Sequence, residues 1–61
     1  LDQATALRAR AASERAAAAA CSLQNRRAMH ERAAEAWEIM ALQLEDTAAR
    51  TLVNEAAKAA R

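Results

Sequence analysis

Residues Arg27 to Leu52 read RAMHERAAEAWEIMALQLEDTAARTL. Apolar groups return at Met29, Ala33, Trp37, Met40, Leu44 and Ala48, in steps of three or four. That spacing lines one face of an α-helix, and no glycine or proline interrupts it. Trp37 is the only aromatic residue of the chain and sits mid-stripe, so it is the expected centre of the core.

Working back toward the N-terminus, LDQATALRARAASERAAAAAC also reads as helix. Its charges leave one clean arc holding Leu1, Thr5, Ala9, Ala12, Ala16, Ala19 and Leu23, a thin seam made mostly of alanine. Leu7 falls off that arc and is expected to be exposed. Asp2 suits an N-terminal cap or first-turn acid. Between the two periodic stretches comes CSLQNRR, where the short polar side chains of Ser22 and Asn25 compete with helical backbone bonding and can cap a following helix. The reading is a first helix over 2–21, a turn over 22–25 and a second helix over 25–60. The alternative is one unbroken helix of about 90 Å in a coiled coil.

Composition sharpens the picture. Alanine fills 21 of the 61 positions. It is the best helix former but buries little area, so helicity is better supported than tight packing. Chains of this size usually need disulfides, a metal or a partner to hold a core. A lone Cys21 closes no intramolecular disulfide and mildly favours a reducing cytoplasm. Ala16–Ala20 ending in Cys21 looks superficially like a lipoprotein processing site, but Glu14 and Arg15 stand where a hydrophobic signal core belongs. No uncharged apolar run is long enough for a membrane span. Residues 1–30 carry five arginines against two acids, and residues 31–61 carry four basic residues against six acids. Opposite polarity of the two halves favours folding back or antiparallel pairing between chains.

The second helix points to a partner. It exceeds the first by about fifteen residues, which leaves Leu44 onward without a neighbour. A second apolar line, Ile39, Leu42, Ala49, Val53 and Ala60, runs on the side away from Trp37. The expected interaction surface is therefore Ile39, Leu42, Leu44, Ala49, Leu52, Val53 and Ala56. Pairing of two hairpins into a four-helix bundle would cover it, and a two-fold dimer is the default closed assembly.

Residues able to carry chemistry read more simply as structure. His30, the sole histidine, lacks an evident orienting partner for general-base work and reads as a half-exposed structural residue. Cys21 and His30 make two ligands, short of a zinc site, so Cys21 reads as a small hydrophobe. Glu31, Glu35, Glu38 and Glu45 lack the Glu-x-x-His pattern of di-iron bundles and read as a solvated face. Arg8, Arg15, Arg26 and Arg27 are interspersed with acids, and no aromatic stacking platform accompanies them, which disfavours nucleic acid. Trp37 with Met29 and Met40 reads as core, Trp37 packing near Ala12 and Ala16. No catalytic residue, cofactor, metal or small-molecule substrate is expected.

ARAASERAAAAACSLQN followed by RRAMHERAAEAWEIMALQLE, with Ala34, Trp37, Met40 and Ala41 as an Ala-x-x-Trp-x-x-Met-Ala core, resembles small alpha-proteobacterial helical-hairpin proteins of uncharacterised function. Those proteins often carry Asp-Pro at the turn and an aromatic residue before the first helix. Here Gln24-Asn25 stands at the turn, and neither feature is present. The resemblance implies a hairpin and brings no activity.

The expectation is thus an all-α antiparallel helical hairpin that dimerises into a four-helix bundle. It is closed by Ala33, Trp37, Met40 and Leu44 against Ala9, Ala12, Ala16 and Leu23. The expected role is that of a non-enzymatic structural or protein-interaction module, whose partner is a second copy or another helical protein. The alternative is a small regulatory or nucleic-acid-associated protein.

Overall fold

In the computed structural model, which describes residues 2–61, two helices fold back on each other. Leu1, assigned to the apolar arc of the first helix, lies outside the described residues. Helix α1 runs Gln3–Ala20 and helix α2 runs Gln24–Ala59, with a three-residue reversal at Cys21–Leu23. The single continuous rod is excluded. The shape is a narrow plank of 58 × 20 × 9 Å, because α2 has 36 residues and α1 only 18.

Each helix start and stop has a local cause. Asp2 caps α1 as expected, its carboxylate accepting from the Thr5 backbone N–H at 2.7 Å. At the other end of α1, the Cys21 N–H bonds the Ala18 carbonyl, and the Arg27 guanidinium donates to the Cys21 carbonyl from Nη2 at 2.9 Å and Nε at 3.3 Å. Arg27 thus closes the first helix from the second, and among the described residues no ion pair joins it to Glu31, four residues on. Helix α2 begins at an unassisted cap: Leu23 occupies the position with no side-chain hydrogen bond. Asn25, expected to cap, is already inside the helix. Cys21 and Leu23 have ordinary extended dihedrals, and no described residue has positive φ, so the reversal needs neither glycine nor proline.

The seam lies one residue away from the expected arc. Among the described residues, only Ala11, Ala18, Ala34 and Ala41 are fully buried, with Ala34 and Ala41 at 0 % exposure. On α1, Ala4, Leu7, Glu14 and Ala17 are half-buried beside Ala11 and Ala18, whereas Ala9, Ala12 and Ala16 are exposed. Leu23 and Met40 are exposed as well, Leu23 at 58 %. Leu7, expected outside, is partly covered, and Trp37 is half-buried rather than central. The physical reason is size. Alanines seven apart on both helices let the backbones approach closely, and an indole cannot fit between helices at that spacing. Trp37 is displaced to the edge, beside Ala9, Arg10, Ser13 and Glu14, away from Ala12 and Ala16.

Polar contacts fix the rotation of α1 that apolar area leaves undecided. Arg8 grips Glu45 with both terminal nitrogens at 2.6 Å, and Arg15 donates to Glu38 Oε1 at 2.6 and 3.0 Å. The expected solvated acidic face thus supplies two bonds across the hairpin. On the other edge, Glu14 Oε2 lies 2.6 Å from His30 Nδ1, with both side chains about 30 % exposed. Glu14, the one acid within α1, is in this way paired where it is partly covered.

Candidate interaction surface

Among the described residues, nothing covers the distal part of α2. Every residue from Leu42 to Arg61 is exposed, and Leu52 and Val53 stand 68 % and 67 % open. Ala48, Ala49, Leu52, Val53, Ala56 and Ala57 recur at i, i+1, i+4, i+5, i+8 and i+9, which gathers them on one half of the helix. Arg50, Thr51, Asn54, Glu55 and Lys58 fill the other half. Asp46 and Arg50 pair along the helix at 3.2 Å, as their i,i+4 spacing leads one to expect. Both are exposed, and such a pair adds a few tenths of a kcal/mol at most. Thr51 Oγ1 donates to the Thr47 carbonyl at 3.0 Å. Lys58 lies in the last turn, where a cation suits the helix C-terminus.

The seven residues expected to form the surface are all exposed, but they fall in four places. Ala49, Leu52, Val53 and Ala56 belong to the bare distal half. Leu44 lies at the open mouth of the hairpin, in a notch of about 500 Å³ that Ala6, Leu7, Met40 and Thr47 also line. Leu42 flanks the charged edge, beside Arg8, Ala12, Arg15 and Glu38. Ile39 is exposed on the outer side of the covered half. The notch was not foreseen, because it depends on Leu7 turning toward α2. The signal for it was the three-residue step from Ala4 to Leu7 and the four-residue step on to Ala11.

Charge at the mouth is organised by α1. Its bond to Arg8 holds the Glu45 carboxyl below the usual carboxylate range, while the same pair raises the Arg8 guanidinium. The bond from the Thr5 backbone holds Asp2 below its ordinary value. Further along the same helix, the Arg10 guanidinium sits over the Trp37 ring, 5.0 Å from its centroid. A cation over an indole at an exposed site contributes roughly 0.5–1 kcal/mol.

No group of three or more His, Cys, Asp or Glu side chains among the described residues could hold a metal ion. Cys21 is half-buried, its thiol 3.6 Å from the Leu23 carbonyl, and His30 is engaged by Glu14 rather than by Glu31 or Glu35. No helix among the described residues is long and apolar enough to cross a membrane. No protein-family model, curated protein or solved structure matches the chain.

Proposed function

We propose that this chain is a non-enzymatic helical interaction module that works in the cytoplasm and docks a partner helix on the distal half of α2. The observation that carries this reading is the exposure of Leu52 and Val53, two-thirds open to solvent in the middle of an apolar half-cylinder. An amphipathic helix with nothing on its apolar side is a face waiting to be covered. A four-residue hairpin core of alanines is also small for a chain that must order about sixty residues, so a partner supplies burial that the hairpin lacks. Association of two hairpins, side by side as a four-helix bundle or through their bare ends, satisfies both demands. The kinship suggested by the alpha-proteobacterial resemblance belongs to the same proposal and concerns fold alone.

The competing assignment to a nucleic-acid-associated protein needs free cations. Arg8 and Arg15 are committed to Glu45 and Glu38, and Arg27 to the Cys21 carbonyl, which leaves Arg26 of the four arginines considered for phosphate. The test is a titration of the chain into a labelled random-sequence DNA duplex and a labelled RNA strand, at about 50 and 200 mM salt. The interaction reading expects no micromolar binding at the higher salt. Micromolar binding that weakens steeply across that range would overturn it.

A further inference from the structure

We infer that the partner on the distal half of α2 is a second copy of this chain, laid antiparallel so that Leu52 and Val53 of each copy meet across a two-fold axis. The inference rests on the interaction reading above and specifies its partner.

The hairpin shows how this chain packs helix on helix. Its seam repeats alanine, a larger residue three positions on, and alanine again four positions later: Ala11, Glu14, Ala18 on α1 and Ala34, Trp37, Ala41 on α2. The bare half of α2 carries the same unit as Ala49, Leu52, Ala56, with nothing against it. If the unit packs on itself in the hairpin's register, Ala49 falls opposite the second copy's Ala56, and Leu52 opposite the second copy's Leu52. In the hairpin, the place three before the α1 alanine and four after the α2 alanine holds Arg15 and Glu38. In the self-pairing, the equivalent place at the centre is Val53 on both chains. A position that faces its own copy cannot carry charge without repelling itself, and here the charged pair of the hairpin is replaced by valine.

The length of bare helix agrees with the same axis: in this register residues 48–57 of one copy lie against residues 57–48 of the other. Gln3 and Thr47 both line the mouth of the hairpin, so α1 ends where the bare segment begins. The partner helix therefore occupies length that α1 leaves free. A parallel arrangement would set Asp46 against Asp46.

The experiment uses the full chain carrying Cys21→Ser, with either Ala49→Cys or Ala56→Cys, oxidised at micromolar concentration alone and as an equimolar mixture. The expected result is a disulfide-linked dimer in the mixture and none from either variant alone. Residues 49 and 49 of the two copies would lie about 10 Å apart along the axis, beyond disulfide reach. Adding Val53→Glu to both variants should suppress crosslinking at least about a hundredfold while circular dichroism stays helical, because residue 53 is exposed in the single chain. Crosslinking of Ala49→Cys alone, an uncrosslinked mixture, or indifference to Val53→Glu would overturn the proposal. The nucleic-acid titration is unaffected by any of these results, so the self-pairing can fail while the interaction reading stands.

Discussion

Among single residues, the decisive ones are the smallest. Ala34 and Ala41 have no exposed surface, so each holds its place by what it lacks, any atom beyond a methyl group. Ala34→Leu should therefore cost about 1–3 kcal/mol by forcing the helices apart. Ala12→Leu, at a position open to solvent one residue from the buried Ala11, should stay within about 0.5 kcal/mol. Chemical denaturation followed by circular dichroism separates the two. Equal effects would show that α1 presents residue 12 and not residue 11 to the seam. This contrast also marks what reading residues in order could not resolve. The run Ala16–Ala20 makes the wheel of α1 nearly featureless, so a rotation by one residue changes little apolar area. The choice falls to contacts between positions far apart in the chain, Arg8 with Glu45 and Glu14 with His30, which no local pattern encodes.

For the two helices as elements, existence and length were legible. Propensity, unbroken periodicity and the absence of glycine and proline all pointed the same way. The expected break over 22–25 lies close to the observed one at Cys21–Leu23. The overhang of α2 followed from length alone, and with it the exposure of Leu52 and Val53. The start of α2 was less legible, since a capping side chain was sought and the structure uses none. That vacancy is testable. Leu23 is 58 % exposed, so replacing it removes little burial, while a hydroxyl there can accept from the free N–H groups of the first turn. Leu23→Ser is expected to stabilise the hairpin by about 0.5–2 kcal/mol. A lower denaturation midpoint for this variant would show that the leucine side chain holds the tip together.

At the scale of the whole molecule, the two carboxyl groups shifted from their ordinary values sit toward the open mouth. Asp2 and Glu45 both have carboxyl groups held below their ordinary values, by the Thr5 backbone and by Arg8. A carboxylate depressed in the folded state adds stability that is fully present above its unfolded value, near 4, and is lost as pH falls through the folded value. The melting midpoint should hold steady from neutral pH down to about 5 and then decline, with the mouth loosening before the tip. Glu45→Gln should start lower and decline less, as followed by circular dichroism at each pH. A variant that declines as steeply as the parent would place the acid sensitivity elsewhere. The reversal at the other end has a different consequence. Its residues have ordinary dihedrals, so nothing in the backbone prevents Cys21–Leu23 from going helical. In a straightened chain Ala18 and Ala34 would stand about 160° apart around one helix, so the two sides of the seam could not both face a straight second chain. Exchange of first helices between two such chains would forfeit the alanine seam and the bonds beside it. The phase between the two helices, rather than a glycine or proline at the turn, thus keeps each first helix with its own chain.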